Sequence, residues 1–405
     1  MPDRTDPEGA IAEAAAKYSN WGRWGDDDVL GTVNFIDGAK RREAAALVRH
    51  GVSFSLSQSF DTDGPQKGWR RRTNPVHTMT DTGTDAVHGD QGFPHGFGGA
   101  DDVIAMPLQC STQWDGLGHI FDHGLAWNGR PADRVVTSAG DLVTGIEHMA
   151  AAVAGRGVLL DVGRVLGDDG ELPDGFAVTE EHLVATAEAH GVAIGRGDIV
   201  CVRTGQLTRA RRDGWGDYAG GPAPGLSFTA AGWLHRTEIA AVATDTWGFE
   251  VRPNEFDHAF QPLHQVVIPH IGLLIGEMWD LDALAAHCAA DGVYEFFLTA
   301  APLPVTGAVG SPSTPSPSSE VSMTAPGNVL IVGGGTAGSA LAILLARGGV
   351  AVDVAEINPE PTVLGSGITL QGNALRVLRD LGVWDRVGAS GFAFDSLGLR
   401  TPAGT

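Results

Sequence analysis

The chain has 405 residues, 43% of them apolar, which is enough for two globular domains with sizeable cores. Its 27 basic against 49 acidic side chains leave a formal charge of −22, which repels phosphate backbones and anionic bilayers and argues against nucleic-acid or membrane partners. Three scattered cysteines make neither a disulfide framework nor a zinc motif, and neither a secretory h-region nor an apolar run of roughly 18 residues is found, so a cytoplasmic protein is expected.

Residues 1–19 read as an acidic N-terminal extension. From 20 to 312, short apolar runs punctuated by glycine and proline alternate with helix-like stretches, the pattern of a mixed α/β domain. The first stretch that looks like a site is "LQCSTQWDGLGH", Leu108 to His119. It gathers Gln109, Ser111, Thr112, Gln113, Asp115 and His119, yet offers only one carboxylate and one imidazole. "GVLLDVGRVLG", "DIVCVRTG" and "IAAVATDTWG" read as strands. "TEEHLVATAEAHG" reads as a helix opened by Thr179, with Glu180 and Glu181 in its first turn. His258, His264 and His270 recur every six residues, a spacing that fits neither helical nor strand ligation, so at most one of them is functional. Glu277 lies inside the apolar run "IGLLIGEMWDL", where a carboxylate is costly unless paired or metal-bound.

Residues 313–327 are rich in Ser and Pro and read as a flexible linker. From 328 to 405 the composition changes again. "NVLIVGGGTAGSALAILLARGGVAVDVAEINPE" predicts a strand, a turn carrying Gly333, Gly335 and Gly338, a helix and a second strand ending at Glu356. The glycines permit close approach of the backbone to a pyrophosphate, and Glu356 would take ribose hydroxyls.

Two resemblances follow. The tail, through "GSGITLQGNALRVLRDLGVWDRV", resembles the FAD-binding start of flavin-dependent aromatic hydroxylases, which implies FAD and a partial Rossmann-type βαβ segment. Met323 sits where such a monooxygenase would begin, so the chain reads as a hydrolase frame run into a flavoprotein frame, or as a fragment of a natural fusion. The tail is expected to fold poorly and to hold little flavin.

The first domain resembles the metal-dependent cyclase family of kynurenine formamidases and isatin hydrolases, with a swivelling β/β/α-like mixed sheet. The resemblance rests on "LQCSTQWDGLGH", "RGVLLDV", "GDIVCVRTG", "PGLSFTAAGWL", "VATDTWG" and "HQVVIPHIGLLIGEMWDLDAL" in order. Against the family signature His-x-Gly-Thr-His-x-Asp-x-Pro-x-His, Gln109 and Gln113 replace two imidazoles, whereas Thr112, Asp115 and His119 are kept. The resemblance implies a divalent metal, Zn or Mn, at positions 109, 113, 115 and 277, with His264 serving a second metal where one is bound; with glutamines at 109 and 113, a weakened single metal shifted toward Asp115, His119, His264 and Glu277 is expected. It also implies His119 as acid/base, Thr112 holding the ligand loop and Asp245 orienting a ligand. The implied reaction is hydrolysis of an aryl formamide, cyclic amide, lactone or ester, of the kind that leads from tryptophan to kynurenine. A small flat aromatic substrate and a homo-oligomer are also expected; Trp114, Trp247, Phe249 and Trp279 are candidates for an aromatic wall, the tryptophans reading first as core. A flavin-dependent oxidoreductase and a catalytically weakened binding domain are the alternatives.

Overall fold

In the computed structural model, residues 3–321, 329–357 and 372–391 are described, and the chain divides into two units at Val321/Ser322. The first unit is built on a mixed nine-stranded sheet. In chain order its strands are β1 (Val48–Ser53), β2 (Gln113–Asp115), β3 (Ala154–Asp161), β4 (Ile199–Arg203), β5 (Ala241–Thr244), β6 (Leu274–Glu277), β7 (Glu295–Thr299), β8 (Gly310–Pro312) and β9 (Ser316–Val321). Across the sheet they lie in the order β1-β9-β7-β3-β4-β5-β6-β2-β8. Strands β3 to β6 are mutually parallel, and the strands flanking them are antiparallel.

The parallel centre accounts for the near-continuous apolar runs in the sequence, because such strands are covered on both faces. Successive residues feed opposite cores. Leu160, Val200, Val202 and Val242 pack with helices on one side, whereas Leu159, Ile199, Cys201 and Ala241 pack on the other with Trp114, Trp127 and Trp279. The helix Glu180–Ala189 starts after Thr179, as its sequence predicts. Cys110, Cys201 and Cys288 are buried free thiols.

Two segments differ from their sequence reading. The N-terminal extension is largely a helix, Pro7–Tyr18, capped by Asp6, which accepts from the Gly9 N–H. Its Ile11 and Ala14 join the same core as Leu263 and Val266. An Ala-rich helix with a narrow apolar stripe is easily mistaken for an acidic tail. The second segment is the Ser/Pro run, of which residues 316–321 form β9, between β1 and β7. Proline cannot donate to a ladder, but its carbonyl can accept. Pro315 and Pro317 take the Leu56 and Phe54 N–H groups at 2.9 and 3.3 Å.

Between β1 and β2 the chain leaves the sheet. Val76–Asp81 and Asp101–Ala105 pair as an antiparallel ribbon on which Val76, Met79, Val103 and Ile104 are exposed.

In the second unit, Val329–Val332 and Val352–Ala355 pair in parallel, joined by the helix Thr336–Arg347, as the glycine pattern predicts. A Cβ on Gly338 would lie 1.9 Å from the Gly333 carbonyl oxygen, so only glycine permits that approach of helix to turn. Glu356 follows the second strand, and its Oε2 accepts the Gly334 N–H at 2.6 Å. Among the described residues of this unit the buried side chains are Ile331 and Leu381, while Leu330 and Val332 are open to solvent. Among all described residues no helix is long and apolar enough to cross a membrane.

Candidate active site

The site grows out of the pairing of β2 with β6. Side chains two apart on a strand share a face, so Gln113 and Asp115 point the same way. The register sets Glu277 opposite Gln113 and Ile275 opposite Asp115, which brings Glu277 onto that same face. The residue after Glu277 turns sharply. Met278 has φ +57°, an unusual value for a non-glycine residue, and its carbonyl accepts from Thr112 Oγ1 at 2.6 Å and Gln58 Nε2 at 2.8 Å. Thr112 in turn accepts the Gln58 N–H at 2.9 Å. It therefore clamps the end of β6 to the start of β2.

His264 arrives from the short helix Pro262–Val266. Glu250 sits at the start of that helix and accepts the N–H groups of Leu263 and His264, each at 3.1 Å. The same carboxylate lies 2.5 Å from His264 Nδ1, which leaves Nε2 aimed at the β-strand face, 3.3 Å from Glu277 Oε1. Ligand atoms of Asp115, His264 and Glu277 all lie within 4.8 Å of one another, and all three residues are buried.

Burial and the neighbouring Glu277 charge push the Asp115 carboxyl up to about 8. For His264 burial opposes protonation, but hydrogen bonds to Glu250 and Glu277 and their charges prevail and hold the imidazolium up to about 10. His119 goes the other way. Burial, then the positive charges of Arg72, His264 and Arg70, bring it down to about 3, so it is a neutral imidazole at pH 7. Its Nε2 is 3.7 Å from Asp115 Oδ1, and its buried Nδ1 has no partner. These groups line a small cavity together with Trp69, Arg70, Arg72, Trp247 and Gln261. It lies at the carboxyl ends of β5 and β6, where open α/β sheets bind their ligands.

A divalent ion fits this donor set. Metal-ligating histidines commonly give their second nitrogen to a carboxylate, and Glu250 plays that part for His264. Gln113 Nε2 donates to Glu277 Oε2 at 3.0 Å and faces Asp115 Oδ1 at 3.3 Å, while its buried Oε1 has no partner. Half a turn of that amide would bring Oε1 to the carboxylates as a neutral oxygen donor. Two carboxylates, one imidazole and an amide oxygen suit a harder ion such as Mn²⁺ better than Zn²⁺.

Of the residues singled out in the sequence, Asp115, His119, His264 and Glu277 meet in the cavity. Gln109 lies close by; a Cβ added to Gly310 would be 2.9 Å from Gln109 Nε2 and 3.5 Å from Asp115 Oδ1. Asp245 is placed elsewhere. Its carboxylate accepts from the N–H groups of Thr204 and Gly205 and from Thr204 Oγ1, each at 2.8 Å, and so ties β4 to β5 instead of orienting a ligand. The aromatic wall is only partly as expected. Trp247 lines the cavity and Phe249 meets His264 edge-on at 5.8 Å, whereas Trp114 and Trp279 are fully buried in the core. Sequence reasoning missed Trp69, Arg70, Arg72 and Glu250. The one signal in "GWRRRT" is its run of arginines in an otherwise acidic chain.

Comparison with known proteins divides the chain in the same way. The sequence model of the Cyclase family matches residues 54–251, and that of an FAD-binding domain matches residues 327–401. A crystal structure described as a novel cyclase is 38% identical, with a TM-score of 0.68 over 75% of this chain and 98% of that one. The tail is 45% identical over 64 residues to the FAD-dependent monooxygenase atnA of Arthrinium sp, and 38% identical over 76 residues to the aurachin C monooxygenase/isomerase of Stigmatella aurantiaca. The matches take up 16% and 19% of this chain, and the chain spans only 8% and 20% of the length of these two relatives.

Proposed function

The chain belongs to the Cyclase family, and on that premise we propose that its first unit is a metal-dependent hydrolase of an amide, lactam, lactone or ester. The observation that carries this reading is the meeting of Asp115, His264 and Glu277 beside a neutral His119 in one buried cavity.

A divalent ion held there supplies Lewis acidity toward a carbonyl and toward water. The protein's own groups do the rest. His119, unprotonated at neutral pH, takes a proton from the attacking water and passes it to the departing nitrogen or oxygen as the C–N or C–O bond breaks. Glu250 fixes which His264 nitrogen faces the site. Trp69 and Trp247, edge to face at 5.0 Å, favour a flat substrate. Within this class we favour an arylformamide, hence a place in aromatic catabolism of the tryptophan-to-kynurenine kind, in the cytoplasm. A homo-oligomer belongs to the same reading and is supported by the exposed apolar side chains of the ribbon.

The test is metal analysis of the purified full chain, then hydrolysis of an arylformamide and of an aryl lactone with and without added Mn²⁺. Activity that depends on Mn²⁺ and is lost in Glu277→Ala is the expected result. No ion bound and no hydrolysis of either substrate would overturn it and leave a binding domain weakened by its two glutamines. The match to an FAD-binding domain supports a second reading, flavin-dependent oxidation by the tail. Bound flavin together with NAD(P)H oxidation would establish it.

A further inference from the structure

The buried arginines of the first unit differ in what they face. Arg203 reaches Asp161 and Asp282, each at 2.9 Å, and the half-buried Arg156 reaches Asp198 and Glu295, each at 2.6 Å. Arg72 is as buried as Arg203, 9% exposed, yet no carboxylate among the described residues lies within ion-pair distance of it. Its guanidinium rests 5.5 Å from the Trp247 ring centroid and lines the cavity that holds Asp115, His119 and Glu277. Its charge acts on Asp115 across the cavity without an ion pair, and a face of an aromatic ring repays only part of the cost of burying a cation that touches no carboxylate.

The loop that carries it is held, not slack. Gly68, Arg70 and Arg71 have φ +89°, +49° and +63°, so three of four consecutive residues are left-handed, two of them without glycine's freedom. Gln66 pins the loop on the site side. Its Nε2 donates to the Cys110 carbonyl at 2.8 Å, and its Oε1 accepts from Trp247 Nε1 at 3.2 Å. Asn74 pins the other side, accepting the Gln66 N–H at 2.7 Å and donating to the Gly64 carbonyl at 2.9 Å. Strain fixed in this way places Arg70 and Arg72 together in one cavity wall. Arg252 adds a third guanidinium, 5.9 Å from the ring centroids of both Trp69 and Trp247.

We propose that the substrate carries a carboxylate on or next to its aromatic ring, and that Arg72, assisted by Arg70, binds that carboxylate while the ring lies against Trp69 and Trp247. The proposal rests on the reading of this cavity as the hydrolytic site. A planar guanidinium fork matches a carboxylate with two parallel hydrogen bonds. With the carboxylate on the guanidiniums of Arg72 and Arg70, the scissile carbonyl is left toward His119, which lines the same cavity.

The test separates binding from turnover. Calorimetric titration of the full chain with benzoate and with benzamide, without added metal, is expected to show benzoate at least about tenfold tighter. Arg72→Gln is expected to abolish that preference and leave benzamide unchanged. Arg70→Gln, at an exposed position that puts no core packing at stake, is expected to cut it about threefold. Arg72→Lys keeps the charge but loses the fork, and is expected to fall between the wild type and Arg72→Gln. Equal binding of benzoate and benzamide, or inorganic phosphate displacing benzoate as strongly as benzoate itself, would overturn the proposal. With Mn²⁺ present, 2-formamidobenzoate is expected to show a lower KM than formanilide, and Arg72→Gln is expected to raise the first KM only. Loss of all hydrolysis with the benzoate preference intact would count against the proposed reaction and for the carboxylate site.

Discussion

Glu250 and His264 form one unit: a single carboxylate oxygen lies 2.5 Å from Nδ1 and also accepts the main-chain N–H of the same histidine at 3.1 Å. The carboxylate therefore fixes both the ring's tautomer and the start of the helix that carries it. Replacing it with glutamine keeps the shape but removes the charge that makes the imidazole a better donor. Glu250→Gln is expected to weaken Mn²⁺ binding about 10- to 100-fold, as partners one step beyond the ligands commonly do. A metal titration followed by fluorescence checks this, and unchanged affinity would show that His264 is not a ligand.

Metal affinity is expected to depend on pH with a definite sign. In the metal-free protein Asp115, pushed up to about 8, and His264, held up to about 10, both keep protons at pH 7. Ligation needs the deprotonated forms, so binding releases protons and tightens as pH rises from 6 to 8. Titration calorimetry in two buffers of different ionisation heat measures that release. Proton uptake on binding would contradict the assignment.

Gln113 occupies the position where the family signature has an imidazole, and it fills the space between Asp115 and Glu277. Gln113→His is expected to shift preference toward Zn²⁺ by about tenfold or more, since imidazole suits that ion better than an amide oxygen does. Competition between Zn²⁺ and Mn²⁺ on the two proteins reads this out directly. An unchanged ratio would place the metal away from β2.

The Arg72 charge is one of those that hold His119 down, after burial. Removing it raises the His119 pKa, so the acid limb of the pH profile moves to higher pH in Arg72→Gln. A profile of kcat/KM carried down to about pH 3 checks the direction. A shift to lower pH would mean that another group carries the proton.

Gly310 faces the same wall from β8. A Cβ there would lie 2.7 Å from the Trp114 carbonyl oxygen and 2.9 Å from Gln109 Nε2. Gly310→Ala is expected to cost about 1–3 kcal/mol of stability and to disturb β2, lowering metal affinity as well. Thermal unfolding with and without Mn²⁺ separates the two effects.

How much of this was legible in the sequence varies with the physics that fixed each part. The parallel strands were visible because burial on both faces leaves runs such as "VLLDV" and "IVCV". Glu277 was visible because a carboxylate inside an apolar run demands a partner. Thr112 was expected to hold its loop by hydrogen bonding, and its partner, the Met278 carbonyl, could not be named without the register of β2 and β6. Asp245 was misread because an aspartate at a strand's end looks the same whether it faces a ligand or, as here, two backbone amides. The loop of Trp69, Arg70 and Arg72 was invisible for a different reason. Its role depends on left-handed backbone and on Gln66 and Asn74, none of which leaves a periodic pattern.

The place of β9 has a practical consequence. A stop codon after Pro312, the position the composition suggests, would strip the strand lying between β1 and β7 and leave raw hydrogen-bonding edges on both sides of the gap. Such a truncated product should precipitate, whereas one continued through Val321 keeps the whole sheet. The serines and prolines that look like spacer are thus the last piece of the first unit to be laid down, and its sheet is closed only once they have been translated.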